Sequence, residues 1–289
     1  MPLAIALLAH ESSPTVSENL VPAAQARGHS VSIVDFAQSI LTDFSHDPFL
    51  RLLTQADIIY YRTTGVDQAI SGKLCAYLRA HRIICLNGIY DRYPHVNRKS
   101  YQAILAGESG ARCPKTIADS RPTFSRISQI LGAPFIAKLD ISSQGRDVHL
   151  IRNESQLASI PPATSTNGYI YQEYVPHKCD YRVHMLGPKA VAAYRRIPAQ
   201  GDFRANVSRG GSMEAVDDDQ KEKLFAAAEE LAPRFELDIF AIDFLESTRD
   251  DSLYFAEANL NPGWEASDER ETGVDLTALT LDYIESRAY

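Results

Sequence analysis

Two acidic residues and an amide near the end of the chain have the spacing of a cation site. Asp243 lies in the apolar run Ile239-Phe240-Ala241-Ile242-Asp243-Phe244, and Glu257 and Asn259 follow a second apolar run, Leu253-Tyr254-Phe255-Ala256. The polar connection Glu246-Ser247-Thr248-Arg249-Asp250-Asp251-Ser252 makes an antiparallel hairpin the simplest reading. Folded about its centre, that hairpin sets Asp243 opposite Glu257, and strand alternation sends Glu257, Asn259 and Asn261 to one face. Like charges repel at the ~5 Å Cβ separation of a cross-strand pair. A hard divalent cation removes that penalty, because magnesium takes carboxylate and amide oxygens, usually together with phosphates. The spacing fits a second reading equally well: a solvated strand end whose Asn261-Pro262-Gly263 is only a turn.

A chain of 289 residues is long enough to bury a substantial core and to split into two or three lobes. Its formal charge of −8 and pI near 5.5 argue against general binding to nucleic acid or anionic membranes. The balance is uneven. Between Lys178 and Arg209 seven basic residues (Lys178, Arg182, Lys189, Arg195, Arg196, Arg204, Arg209) face two acidic ones (Asp180, Asp202), a local net of +5 that suits a small anionic ligand. Four scattered cysteines, without CxxC or zinc spacing, read as free thiols in a reducing compartment. The apolar start, 1–9, has no basic flank and is too short to span a bilayer, so it reads as a buried strand of a cytoplasmic protein.

Three segments must position these groups. Residues 1–92 alternate strand candidates (3–9, 31–36, 58–61, 83–86) with helix candidates (17–27, 68–80), a βαβ rhythm that implies a small parallel sheet. No GxGxxG follows the first strand, so a dinucleotide site is unsupported; His10 and Glu11 stand at that strand's carboxyl end, where open α/β sheets bind ligands. Residues 93–168 carry helices near 97–107 and 124–131, then Pro134-Phe135-Ile136-Ala137-Lys138-Leu139, a polar loop 140–147, and a return strand 148–151. Residues 169–289 carry strands at 169–175, 180–186 and 190–196, a polar crossing at 201–211, a helix at 218–235 and the late hairpin. A last helix, 276–287, has Asp275 as its N-cap.

In this order the motifs resemble those of the ATP-grasp superfamily, and within it the RimK/LysX type of carboxylate–amine ligase. The likeness runs over about 97–285. It consists of Arg98-Lys99; Pro134 to Leu139 with Gln144-Gly145; Gln172-Glu173-Tyr174-Val175; Asp180-Tyr181-Arg182-Val183; Gly201-Asp202-Phe203-Arg204-Ala205-Asn206 with Gly210-Gly211; Asp243; and Glu257 through Gly263. The resemblance implies an α/β fold in which a small parallel-sheet domain (1–92) precedes two lobes, 93–168 and 169–289, that clasp ATP. It implies phosphate contacts from Lys99 and Lys138, an adenine strand at Gln172, Glu173, Tyr174 and Val175, and a ribose-side Asp180. It further implies phosphate-side Arg204 and Asn206, two magnesium (or manganese) ions on Asp243, Glu257 and Asn259, and Arg196 beside the reacting carboxylate. Arg182 fits either a direct role or an ion pair that buttresses Asp180. Ser142 and Asp147 stand where relatives of this type usually have glycine.

The activity so implied is ATP- and Mg²⁺-dependent joining of a small-molecule or peptide carboxylate to an amine through an acyl phosphate, in a homodimer or homotetramer. A small-molecule kinase and a non-catalytic ATP-binding protein are the rival readings. Ser, His and Asp form no recognisable nucleophilic triad, and no residue stands out as the general base for the amine.

Overall fold

The computed structural model describes residues 1–9, 13, 15–35, 48–62, 68–142, 147–164, 167–199 and 211–288. Of the sequence candidates, His10, Glu11, Arg204, Asn206 and the Gln144-Gly145 pair lie outside them.

The first segment forms the expected parallel sheet, in the order β2-β1-β3-β4, from β1 (Ala4–Leu8), β2 (Ser30–Val34), β3 (Ile58–Tyr61) and β4 (Ile84–Leu86). All four residues of β3 are buried, as expected for a strand covered on both faces. Helices α1 (Val21–Ala26), α2 (Pro48–Thr54) and α3 (Gln68–Ala80) belong to this segment. The helix expected over 17–27 enters as a π-helical stretch, Thr15–Leu20, and becomes α-helical at Val21. Pro22 stands in the first turn of α1, just where the π-helical stretch gives way to the α-helix.

Next come α4 (Lys99–Glu108), β5 (Thr116–Ala118), α5 (Phe124–Leu131), β6 (Phe135–Leu139), β7 (Val148–Ile151), α6 (Glu154–Ser159) and β8 (Tyr169–Glu173). Their strands pair antiparallel in the order β5-β8-β6-β7. Tyr169–Glu173, read above with the last segment, is therefore a strand of this central sheet.

The remainder is a five-stranded antiparallel sheet, β11-β10-β9-β12-β13, built from β9 (His177–Leu186), β10 (Lys189–Ile197), β11 (Ser212–Ala215), β12 (Ile239–Ser247) and β13 (Leu253–Asn259). Helices α7 (Asp218–Leu231), α8 (Ala266–Thr272) and α9 (Leu276–Ala288) complete the chain. Asp275 caps α9 as expected, accepting from the Ala278 N–H at 2.7 Å.

Alternation gives this sheet two unlike faces. Tyr181, Val183, Met185, Phe240, Ile242 and Phe244 join Ala6, Leu8, Ile59 and Tyr61 of the first sheet in one apolar core. A second core combines Leu3, Ile5, Leu7, Ile58 and Tyr60 with Ala192, Ile239, Trp264 and Leu276. The third, with Phe135, Ala137, Ile151, Tyr169 and Tyr171, lies within the central segment.

Asn87 fastens the first sheet to the last. Its Nδ2 donates to the carbonyls of Ile239 (2.7 Å) and Leu260 (3.3 Å), and its Oδ1 accepts from the N–H groups of Asp238 (2.8 Å) and Ile239 (3.0 Å). With φ of 58° it also occupies a left-handed conformation that Asn tolerates better than most residues. Asn87→Ala strands four main-chain groups and is expected to cost about 3 kcal/mol of stability, read from the denaturant midpoint. A loss below ~1 kcal/mol would contradict this assignment.

Candidate active site

The late hairpin forms in the expected register: Asp243 opposes Glu257 across β12 and β13, followed directly by a bulge. On its other side β12 pairs with β9, which sets Asp243 opposite Arg182, while Asp180 opposes Arg196 across β9 and β10. These residues share the face of the sheet turned away from the first core.

Asp243 is buried and grips Arg182 through two bonds, Nε to Oδ1 and Nη2 to Oδ2, each 2.8 Å. Arg196 Nη2 also donates to Oδ2, at 2.8 Å, and Arg196 Nε donates to Asp180. Asp180, Arg196, Asp243 and Arg182 thus form a buried chain of alternating charge. Burial opposes the charge on Asp243, but the two guanidinium groups override it and hold the carboxyl well below its usual range. At Asp180 burial dominates and raises the carboxyl, with Arg196 countering.

Two expectations change here. Arg182 does not buttress Asp180; its fork is taken by Asp243, which lies directly across from it. The repulsion expected between Asp243 and Glu257 is also relieved within the protein. Two arginines neutralise Asp243, and Glu257 Oε2 lies 3.3 Å from Lys99 Nζ.

Lys99, the first residue of α4, also donates to the carbonyl of Ser142 at 2.7 Å. Asp140 brings it close to β6. Its carboxylate accepts from Ser100 N–H (2.8 Å), Ser100 Oγ (2.9 Å) and Arg98 Nη1 (3.1 Å), while its carbonyl accepts from the Lys99 N–H. Lys138, on β6, is buried. Burial first, and then the charge of Lys99, lower its ammonium to about 8. The charges of Glu257 and Asp140 act on Lys138 in the opposite sense. Two lysines and a carboxylate therefore converge where the central segment meets the hairpin.

Gln102, one turn after Lys99, holds the hairpin in place. Its Oε1 accepts from Ala258 N–H (3.0 Å) and its Nε2 donates to the Ala258 carbonyl (2.9 Å), between Glu257 and Asn259. Asp140 and Gln102 were not singled out from sequence. The only signal was a polar residue on the buried side of a helix; Asp140, just after β6, reaches the start of α4 only through the fold.

The oxygens of Asp243, Glu257 and Asn259 form a hard donor set suited to magnesium. Asp243 Oδ1 accepts a single N–H and keeps one acceptor position; Asn259 Oδ1 accepts from the Asn261 N–H at 3.0 Å. No group of three or more His, Cys, Asp or Glu able to hold a metal occurs among the described residues. Two carboxylates and an amide leave further coordination to water and phosphate, which is magnesium's usual habit.

The remaining candidates are more scattered. Gln172 and Glu173 lie in β8 between β5 and β6, with Gln172 Nε2 donating to Thr116 Oγ1 at 2.7 Å and Glu173 Oε1 lying 3.5 Å from Arg249. Tyr174 leans on His177, whose Nδ1 is 2.7 Å from the Val175 carbonyl. Among the described residues no helix is long and apolar enough to cross a membrane.

Comparisons with known proteins bear on the family and the fold. Residues 99–284 match the model of the RimK-like ATP-grasp domain. A probable alpha-L-glutamate ligase of Aeromonas salmonicida is 28% identical over 296 residues, covering 98% of this chain and 97% of its own. One of Parasynechococcus marenigrum is 29% identical over 306 residues, but 99% of this chain spans only 62% of its length. The crystal structure of a RimK domain ATP-grasp protein from Sphaerobacter thermophilus superposes with a TM-score of 0.70 at 18% identity, covering 98% of this chain and 99% of that one. With a family model matched over most of its length and the expected fold throughout, the chain belongs to the RimK-like ATP-grasp domain family.

Proposed function

We propose that this protein is an ATP-dependent carboxylate–amine ligase that forms an amide bond between amino-acid-type substrates. The observation that carries the reading is the convergence of Lys99, Lys138 and Glu257 beside a buried Asp243 on one sheet face. Such a constellation neutralises and orients a triphosphate, and phosphoryl transfer asks for little more.

The substrate carboxylate attacks the γ-phosphorus of ATP; the bond from that phosphorus to the bridging oxygen breaks, giving an acyl phosphate and ADP. The amine lone pair then attacks the acyl carbon, phosphate leaves, and the nitrogen gives up a proton. Lys99 and Lys138 hold the phosphates as compact point charges. Asp243, Glu257 and Asn259 hold magnesium, which supplies charge neutralisation at the phosphates when bound. Arg182 and Arg196 fix Asp243, and Arg196 serves the side of the reacting carboxylate; Arg204 keeps the phosphate-side role that the family resemblance implies. Tyr174 and Val175, beyond the end of β8, face the adenine.

The test is an ADP-release screen over pairs of amino acids, with product detection by mass spectrometry. Amide formed in step with ADP supports a ligase. ADP released with a phosphorylated product and no amine requirement marks a kinase, and nucleotide binding without turnover marks a non-catalytic protein.

Lys138 gives the site a pH signature. Unfolded, it keeps its proton to about 10.4; folded, it loses it near 8. Between those values the folded state binds fewer protons than the unfolded one, so this group makes stability rise with pH across the window. Bound phosphates favour the charged amine. Above pH ~8, nucleotide binding must therefore take up a proton and weaken as pH climbs. Calorimetry in two buffers of unlike ionisation enthalpy reads the uptake directly, and Lys138→Met should abolish it. A pH-independent affinity from 7 to about 10 would remove Lys138 from the phosphate site.

A further inference from the structure

At the carboxyl end of β3, Arg62 is 7% exposed. Its main-chain N–H donates to the Leu8 carbonyl, and its guanidinium carbon lies 5.3 Å from the Tyr60 ring centre and 5.4 Å from that of Trp264. Nη1 donates to the Tyr60 hydroxyl at 3.0 Å and Nη2 to the Pro262 carbonyl at 3.1 Å. Both acceptors are neutral. Among the described residues no carboxylate forms an ion pair with Arg62. The acid whose charge reaches Tyr60 is Asp238, which is engaged by the Asn87 N–H and the Tyr283 hydroxyl.

A buried guanidinium without a counter-ion is costly, and two aromatic faces with two neutral acceptors offset only part of that cost. Two other deeply buried cations near the site have carboxylates, Arg196 with Asp180 and Asp243 and Lys99 with Glu257, whereas Lys138, like Arg62, forms no ion pair among the described residues. Arg62 also stands where open α/β sheets bind ligands, at the carboxyl end of a parallel strand, against the segment that follows Asn259. A planar fork of N–H donors matches a carboxylate.

We propose that Arg62, beside the rings of Tyr60 and Trp264, binds a spectator carboxylate of an organic substrate, one not consumed in the reaction. This rests on the ligase reading and adds a substrate class to it: at least one substrate carries a second acidic group, as an amino-acid amine donor or a dicarboxylic acceptor does. Trp264 is fixed for the role. Its N–H is held by Thr15 Oγ1 (3.2 Å) and its indole Nε1 donates to Thr277 Oγ1 (3.0 Å).

Trp264 is the only tryptophan in the chain, so its fluorescence reports on this pocket. The wild-type protein is titrated with the common L-amino acids, their α-carboxamides, and aliphatic dicarboxylates, with fluorescence and melting temperature both read. A saturable response to at least one carboxylate is expected, weakened at least ~30-fold in the matching carboxamide. Arg62→Met should lose the response while ADP binding persists, and Arg62→Lys should weaken it about tenfold, because the charge stays but the fork is lost. If Arg62→Met does not fold, the lysine variant and the carboxamides decide.

In turnover, Arg62→Lys should raise the KM of one organic substrate and leave that of ATP unchanged, and the substrate affected identifies the source of the carboxylate. Equal affinity of Arg62→Met and wild type for the responding carboxylate, or no response to any of them, overturns the proposal. A merely structural tie lowers the melting temperature without moving either KM, and that also overturns it. Ligation with both organic KM values unchanged sinks this inference alone. A carboxylate response without ADP release under any pairing sinks the ligase reading alone.

Discussion

Glu257→Gln is expected to lower ATP-dependent turnover at least a thousandfold, to within about 1 kcal/mol of wild-type stability. The side chain is 30% exposed, and its one ion pair, with Lys99, is shared with the Ser142 carbonyl bond, so folding loses little. In the proposed ligase the reaction loses a negative oxygen that would hold the metal beside Lys99. Glutamine keeps the shape and one oxygen but not the charge. Near-wild-type ADP release by the variant would remove Glu257 from the chemistry.

Asp243→Asn should separate from it sharply, because there the loss falls on the fold. The carboxylate accepts three hydrogen bonds from two buried arginines. Removing one partner of a buried ion pair leaves an uncompensated charge, and the expected cost is about 4 kcal/mol. Asparagine creates no cavity, so the loss is electrostatic. The folded-state carboxyl sits below its usual range, so this stabilisation is present above that range and is lost only as pH falls through the lower, folded value. The gap between variant and wild type should therefore persist into mild acid. Denaturant unfolding at neutral and mildly acidic pH reads it; a difference under ~1 kcal/mol at both would show that the buried chain of charges is not what holds this sheet face together.

The hairpin was readable in advance because its information is local. Two apolar runs, a polar connection and period-two alternation fix the register that places Asp243 against Glu257. The parallel first sheet followed from the βαβ rhythm in the same way. Partners set by long-range pairing were not readable. Arg182 and Arg196 are two of several arginines in one basic band, and only the order β10-β9-β12 decides that both reach Asp243. Arg195, one residue away, points to the other face and pairs with exposed Glu214. Asp140 and Gln102 escaped notice because each acts on main-chain groups at a distance, Asp140 at the start of α4 and Gln102 on β13. Nor did anything in the sequence show that the first and last segments share two cores while the middle one, apart from residues such as Val96 and Ala106, keeps its own.

That division has a mechanical consequence. The first and second cores, shared by the first and last segments, make a broad base, the third core makes a smaller cover, and the two lysines stand on different ones. Lys99 rides on α4, whose Ala106 belongs to the base, and Lys138 rides on the cover. In the proposed ligase, a phosphate chain gripped by both lysines would bridge the first and third cores. Part of the binding free energy of such a ligand would then go into fixing one core against the other.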